Sequence, residues 1–437
     1  MDTTEKKTRK KPVKDQRPKR RLNLKVYPTK EQRKILHSLR HDLCGIWNLD
    51  TRYVEAGKPG GAASYKAFAT VKNANKDASP YRDIDTRLVN SMLQRHKNAR
   101  STFFGLVKKN AQKNAKPPGP IHPDKFTSFD NVQVKDTGAK LVRTGNKSWK
   151  LTLTRSGNRG LGDLKCRGSV PYEDWSLASI TMKWIPQTDE WYASVVVSTV
   201  PKRTASDGVM GLDLGLETLI TSVHSNGTVH KVDYRPREGR TTSNAMIDVV
   251  NRAHAKVALH QRSMARRAVR DKNQKIIKKT SRYVQASRRA FVASRKMASI
   301  RRDRHHKLSA QKAAQATHLV TEELSVARMM AKGGKYKKGL NKTIARAGWS
   351  SLLKMLAYKS RETGGELSLL PTKLLAPSQT CSCCGERTKH TLSVRTWDCS
   401  HCGVEHDRDE NAAQNMLQWY LALDTKERGK YSVTTVE

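Results

Sequence analysis

Two Cys-x-x-Cys pairs stand near the end of the chain, Cys381 with Cys384 and Cys399 with Cys402, with fourteen residues between them. Thiolates at this spacing suit a tetrahedral zinc, and four of them leave no open position, so such a site supports the fold and does no chemistry. Gly385 follows one pair and Gly403 the other, which sets the register of both knuckles and leaves Cys383 outside it. An iron–sulfur cluster is the alternative use of four cysteines. Immediately beyond comes Asp407-Arg408-Asp409-Glu410-Asn411. Two further acids fall where strands are expected. Asp213 lies between Leu212 and Leu214, where an ionised side chain needs compensation, and a metal is the usual one. Glu322 sits at a strand end in Glu322-Glu323-Leu324. Three carboxylates, Asp213, Glu322 and Asp409, suit a two-metal site for Mg²⁺, in which one ion activates water and the other stabilises a leaving 3′ oxygen. The opposing reading is three unrelated structural acids.

Charge says what such a site would act on. The chain has 437 residues, 84 Lys plus Arg against 39 Asp plus Glu, and a formal charge of +45. That excess exceeds what solubility needs and matches a partner rich in phosphates. Aromatic residues make up only 6%, which argues against a binder dominated by base stacking. Seven cysteines, four of them in tight pairs, indicate a metal site in a reducing compartment and no disulfide framework. No apolar run approaches a membrane span and no secretory h-region follows the start, so the expectation is a soluble intracellular protein with no membrane partner. It would be cytoplasmic and nucleoid-associated in a prokaryote, nuclear in a eukaryote. Residues 1–21 carry ten basic and three acidic residues and read as a disordered arm on nucleic acid, or as a nuclear-localisation signal.

The elements that must position these residues follow from periodicity. Leu22, Leu24 and Val26 alternate with Asn23 and Lys25, a strand over 22–27 that Pro28 ends. Thr29 and Gln32 fit a capping box, and Leu36, Leu39, Leu43, Ile46 and Trp47 give the following helix its apolar stripe. A loop covers 56–64, and a second helix covers 85–109 with Val89, Met92, His96, Ala99, Phe103 and Leu106 on one face; His96 there is a core histidine, not a ligand. A Pro/Gly break at 115–123 precedes β texture to about residue 200, including Trp149–Leu153, Ile180–Ile185 and Trp191–Thr199. The arrangement reads as a β-barrel (22–27 and 115–205) with a helical insertion (28–114) after its first strand. Met210 to Val223 reads as one buried strand with Asp213 inside it, followed by the turn Ser225-Asn226-Gly227.

Residues 244–310 read as a helical hairpin, and from Gln261 to Ala310 there are 17 Lys/Arg against Asp271 and Asp303. That density favours a phosphate-tracking surface over a merely solvated face, with Arg266, Arg267, Arg270, Lys278, Lys279, Arg288, Arg289, Arg301 and Arg302 as the candidate contacts. A strand over 317–324, a loop over 331–339, a helix over 344–362, a strand over 366–370 and a helix over 411–423 complete the reading.

The motifs GLDLG (211–215), EELSV (322–326), CSCCG with CSHCG, and DRDENAAQN (407–415) resemble the RuvC-type nucleases of the TnpB family, transposon-encoded relatives of compact type V CRISPR effectors. LNLKVYPTKEQ (22–32), NSMLQRHKNARSTFF (90–104), EWYASVVV (190–197) and AGWSSLLKMLAYKS (347–360) follow the family pattern in order, so the resemblance spans nearly the whole chain beyond residue 21. It implies a multidomain α+β protein: a wedge-like barrel, then an RNase H-like α/β RuvC domain over 206–376 and 404–424, a zinc ribbon inserted at 377–403, and a tail at 425–437. It implies catalytic roles for Asp213, Glu322 and Asp409, with Asp409 preferred over Asp407. It implies Mg²⁺ and structural Zn²⁺ as cofactors, a guide RNA from the transposon end, and cleavage of double-stranded target DNA beside a short motif, by a protein expected to be monomeric. Base pairing would supply most of the specificity. The family often carries a basic or polar residue where this chain has Glu217; Cys383 and the long basic arm are further departures. A type V CRISPR effector, a non-cleaving RNA-guided repressor, a guide-independent transposase and an unguided nucleic-acid binder are the competing functions; the repressor would have lost an acid, and none is missing here.

Overall fold

A computed structural model describes residues 17–57, 84, 86–112, 129, 131–135, 139–153, 160–200, 203–233, 245–274, 276–331, 337–371, 375–391 and 394–433. The first sixteen residues of the basic arm, nearly all of the 56–64 loop, the 115–123 break, the centre of the 331–339 loop and the last four residues lie outside that set. The chain divides into two compact units, Met1–Val200 and Pro201–Glu437.

The first unit contains β1 (Lys19–Tyr27), α1 (Lys30–Glu55), α2 (Thr86–Ala111), β2 (Asn131–Lys135), β3 (Ala139–Gly145), β4 (Ser148–Leu153), β5 (Asp163–Arg167), β6 (Trp175–Ile185) and β7 (Glu190–Thr199). Its seven strands form one sheet in the order β2-β6-β7-β1-β5-β4-β3, every pair antiparallel. The helices do fall between the first and second strands. The expected barrel appears as this sheet with edges at β2 and β3; among the described residues no ladder joins the two edges. Strand β1 begins three residues earlier than the 22–27 expected, because Lys19, Arg20 and Arg21 pair with Ser198, Val197 and Val196. Backbone pairing there prevails over a basic composition that reads as disordered.

Period-2 burial explains the sheet's inner face: Trp191, Ala193, Val195 and Val197 of β7 are buried, as are Leu24 and Val26 of β1. Against them pack Leu36, Leu39, Leu43, Ile46 and Trp47 of α1 with Val89 and Met92 of α2. The capping box forms, with Thr29 Oγ1 accepting from the Gln32 amide at 3.2 Å and Gln32 Oε1 accepting from the Thr29 N–H at 3.0 Å. His96 is buried within the core, its Nδ1 2.5 Å from Asp50 Oδ2 and its Nε2 3.0 Å from Thr51 Oγ1. The β6–β7 turn is stapled to α1 by Asp189, whose carboxylate accepts from Trp184 Nε1 at 2.8 Å and from Arg33.

The second unit begins with β8 (Val209–Asp213), β9 (Thr218–His224) and β10 (Val229–Asp233). Next come α3 (Ala245–Arg266), a short hairpin of β11 (Val269–Arg270) and β12 (Ile276–Lys278), α4 (Ser281–Gln315) and β13 (His318–Glu322). Helices α5 (Val326–Ala331), α6 (Lys337–Ala347) and α7 (Trp349–Glu362) lead to β14 (Glu366–Leu370), β15 (Thr396–Asp398), β16 (Glu405–Asp407), α8 (Arg408–Ala422) and α9 (Thr425–Tyr431). Five strands form a sheet in the order β10-β9-β8-β13-β14. The first three are antiparallel, while β8-β13 and β13-β14 are parallel.

Two expectations are corrected here. The run from Met210 to Val223 is two antiparallel strands, not one: the chain reverses over 214–217, and Asp213 ends β8 instead of sitting mid-strand. The helix expected over 344–362 breaks at Gly348, whose φ of 67° is left-handed, so Trp349 starts a new helix. Residues 432–433 cover the free edge of β14, Ser432 bridging to Ser368 and the Val433 N–H donating to Leu367 O at 2.9 Å. Among the described residues no helix is long and apolar enough to cross a membrane.

Helix α8 packs on the sheet over Gly211, where a Cβ would lie 2.1 Å from the Ala413 carbonyl oxygen. A side chain at 211 must therefore push α8 away from β8. Gly211→Ala is expected to lower unfolding stability by about 1–3 kcal/mol through overpacking, read by thermal or denaturant unfolding; an unchanged midpoint would show that the helix does not need this close approach.

Candidate active site and metal centre

Register brings two of the acids together. β8 and β13 are parallel neighbours with Thr321 opposite Leu212, so Asp213 and Glu322, the last residues of their strands, stand side by side at the same end of the sheet. Thr321 Oγ1 donates to Leu212 O at 2.8 Å and fixes that register. Asp409 arrives from the first turn of α8, where it is buried. Burial first, then the negative charges of Asp409 and Glu322, hold the Asp213 carboxyl well above the usual carboxylate range; Arg408 opposes this and Asp407 adds to it. The three predicted acids, drawn from distant stretches of sequence, therefore share one electrostatic site. Their donor set is all hard oxygen, as Mg²⁺ requires. Among the described residues, the group whose ligand atoms all lie within 4.8 Å of one another is the cysteine cluster; the carboxylates are not gathered that tightly.

The neighbouring Asp407 has a different task. It is the N-cap of α8, its Oδ1 accepting from the N–H groups of Asp409 and Glu410 at 3.1 Å each. Its Oδ2 accepts from Lys231 Nζ at 2.8 Å, and the same ammonium reaches Glu410 Oε1 at 2.6 Å. Burial would push the Asp407 carboxyl up, but Lys231 and the two amides hold it below the ordinary value. With both its oxygens engaged, Asp407 orients the helix end that carries Asp409.

The four predicted cysteines converge. Cys381 Sγ lies 3.6 Å from Cys402 Sγ, and Cys384 Sγ lies 3.6 Å from Cys399 Sγ. Cys383 is exposed and lies outside the cluster, in keeping with the knuckle register. The turns close through Gly385 N–H to Cys381 O at 2.9 Å and Gly403 N–H to Cys399 O at 2.8 Å. The backbone amides of Cys402 and His401 pull the Cys399 thiol down to about 6, whereas Cys384, despite the pull of the Glu386 amide, is pushed up to about 12 by burial and the neighbouring thiols. His406 Nε2 stands 3.0 Å from Cys381 Sγ, and its ring stacks on Trp397, a placement suited to orienting a ligand thiolate.

Several neighbours of the site have positioning roles that sequence reasoning does not assign, although two of them lie within DRDENAAQN. Asn411 Nδ2 donates to Thr380 O at 2.7 Å while its Oδ1 accepts from the Ser382 N–H at 2.8 Å. Asn415, one turn on, donates to Thr380 O at 2.6 Å and Pro377 O at 2.8 Å. These two asparagines bolt the first knuckle to α8. The available signal was two poor helix formers four residues apart on a helix. Lys231 and Arg395 were likewise not singled out.

The basic hairpin presents most of its predicted contacts to solvent: Arg266, Arg267, Arg270, Lys278, Lys279, Arg288, Arg289 and Arg302 are exposed. A groove of about 720 Å³ opens between α3 and α4, lined by Arg252, Lys256, Arg288, Arg289 and Lys296 over an apolar floor that includes Val292. Arg301 differs: its Nη1 donates to Ala345 O at 2.8 Å, capping the end of α6, so it braces the fold.

Residues 349–416 match the family model described as "Cas12f1-like, TNB domain". A relative from Streptomyces pristinaespiralis, named an RNA-guided DNA endonuclease, is 32% identical over 278 residues, covering 63% of this chain and 60% of its own length. InsQ of Escherichia coli K12, similarly named, is 28% identical over 243 residues, 52% of this chain and 53% of its own. The chain thus spans between half and three-fifths of these relatives. The structure titled as a Cas12f1–sgRNA–target DNA complex shares the fold at a TM-score of 0.53 with 11% identity, covering 89% of this chain and 83% of that one. The segment that matches the family model carries the whole ribbon and the first turn of α8, and the chain is similar to these relatives over part of their length.

Proposed function

We propose that the chain is an RNA-guided DNA endonuclease that cuts double-stranded DNA next to a short motif, by RuvC-type hydrolysis at Asp213, Glu322 and Asp409. The observation that carries the reading is the grouping of these three acids at one end of the sheet, delivered by the C-terminal ends of β8 and β13 and the start of α8. Strand order and direction in the five-stranded sheet support assigning it to an RNase H-like domain. An intact acid set favours cleavage over a repressor role. Mg²⁺ held by the three carboxylates would activate the attacking water and stabilise the leaving oxygen. The chain's own part is to hold those oxygens at one end of the sheet: the Thr321 hydroxyl locks the two strands in register, and the Asp407 cap aims Asp409. The thiolates of Cys381, Cys384, Cys399 and Cys402 would hold one zinc, closing the ribbon. The exposed cations of α3, α4 and the turn between them would follow the phosphates of the guide RNA or its hybrid with target DNA. Association with a transposon end, a monomeric state and an intracellular location belong to the same proposal.

Four outcomes test it. Asp213→Ala should abolish guide-dependent cleavage of a plasmid while guide-dependent binding survives. The metal-free Asp213→Asn protein should melt above wild type at neutral pH. The sign follows from linkage: a carboxyl whose folded value is raised favours folding while protonated, and that advantage is lost as pH rises past the unfolded value, so a neutral amide removes the penalty. Loss of binding, or a lower melting point, would make Asp213 a structural residue.

Zinc analysis should find one ion per chain in wild type and in Cys383→Ser, with loss of both zinc and thermal stability in Cys381→Ser. Retention of zinc in Cys381→Ser would displace the proposed ligand set. In salt titrations of RNA binding, Arg288→Ala and Arg289→Ala should each lower the log–log slope by about one. Arg301→Ala should lower the melting temperature and leave the slope nearly unchanged; equal slopes in all three would remove the hairpin from the interface.

A further inference from the structure

Arg395 stands just before β15 in the ribbon, where its carbonyl accepts from the Arg408 N–H at 2.8 Å. Its side chain turns toward the acid end of the sheet. Nη1 lies 3.7 Å from Asp409 Oδ1, and Nη2 lies 3.3 Å from Glu217 Oε1. Glu217 belongs to the reversal between β8 and β9, four residues after Asp213. One guanidinium thus spans two carboxylates, one inside the proposed metal site and one beside it. Arg395 is 40% exposed and Glu217 52%, whereas Asp409 is 11% exposed, so the mobile partners of this bridge are the arginine and the glutamate. Trp349 Nε1 donates to Gly215 O at 3.3 Å and holds the reversal that presents Glu217.

We propose that Arg395 is the built-in counter-cation of Asp409, tethered there by Glu217, and that a divalent ion binding Asp409 must displace it. The inference rests on reading Asp409 as a metal ligand. Gathering Asp213, Glu322 and Asp409 is unfavourable without positive charge nearby, and guanidinium is charged at every relevant pH. Its planar fork can engage two carboxylates at once, which an ammonium does less well. Two further cations are close by: Lys231 is engaged by Asp407 and Glu410, and Arg408, next to Asp409 in sequence, acts on Asp213. Because Arg395 belongs to the ribbon and Glu217 to the sheet, the bridge also makes the ribbon's seating a condition of the resting site. Release of Nη1 on ion binding would leave Nη2 on Glu217, so the arginine remains beside the acids.

The test is binding of Mn²⁺ alone to the zinc-loaded full chain, followed by the paramagnetic resonance of free Mn²⁺. Half-exposed ion pairs are worth up to about 1 kcal/mol, so Arg395→Gln should tighten Mn²⁺ by about two- to fivefold. Glu217→Gln should tighten it by less, and in the Arg395→Gln background, where no tether remains, it should no longer tighten it. That sign is diagnostic, since removing a nearby negative charge with no tether role would weaken Mn²⁺. Unchanged or weaker binding in Arg395→Gln overturns the proposal, and a Glu217→Gln tightening that persists without Arg395 removes the tether. Asp409→Asn and Asp213→Asn separate the two levels: if they too leave Mn²⁺ binding unchanged, the metal-site reading itself fails. Zinc content and melting temperature, measured on each variant, exclude misfolding as the cause.

Discussion

Like charges held at one end of a sheet are the constraint to which the second unit answers. Asp213 and Glu322 are brought together by a parallel pair of strands, and a carboxylate from α8 is added to them. Nothing in the acids themselves favours this; burial, and after it the charges of Asp409 and Glu322, holds the Asp213 carboxyl well above the usual carboxylate range. The gathering persists because apolar burial around it is large. Met210, Leu212, Leu319 and Val320 are buried almost completely on the two strands, and each such side chain contributes about 1.5–3 kcal/mol. The strands cannot slide without exposing that row, so the acids stay at the end where the register puts them.

The placement of α8 follows from the same need. Its approach at Gly211 sets its height above the sheet, Asp407 caps it, and Lys231 ties the cap to β10. Asn411 and Asn415 then use the side of the helix facing the ribbon to satisfy backbone groups of the first knuckle. The β16 strand runs straight into α8, and the Arg408 N–H donates back across the hairpin to Arg395 O. Ribbon and acid end are therefore one mechanical piece, although they use different donor chemistry. Soft thiolates close a tetrahedral site, while hard carboxylates leave room for water and phosphate.

Much of this was legible from local chemistry. The capping box at Thr29, the period-2 alternation of β7, the stripe of α1 and the Cys-x-x-Cys-Gly pairs are signals that tertiary context does not overturn. The placement of Asp213, Glu322 and Asp409 came from motif order, since no local pattern states that residues 213, 322 and 409 meet. What stayed hidden has definite reasons. A continuous apolar run conceals a reversal, so β8 and β9 read as one strand. A helical period can continue across a left-handed glycine, so Gly348 passed as interior. The pairing β7-β1-β5 joins strands far apart in sequence, and no turn chemistry records it. Partners such as Arg395 and Glu217 lie on exposed stretches where composition allows any polar residue.

The position of Glu217 shows why such partners matter. In isolation it is an exposed acid near an acidic site, which increases the local negative charge and favours cation binding. Beside Arg395 it acts in the opposite direction, because it holds a positive charge against Asp409. The net sign depends on whether the tether outweighs the bare field, and geometry favours the tether: Glu217 meets the guanidinium at 3.3 Å, where a charge-assisted contact prevails over a screened interaction at longer range. A residue at the surface can in this way set the resting state of a buried carboxylate without touching it, through one flexible cation carried by the ribbon.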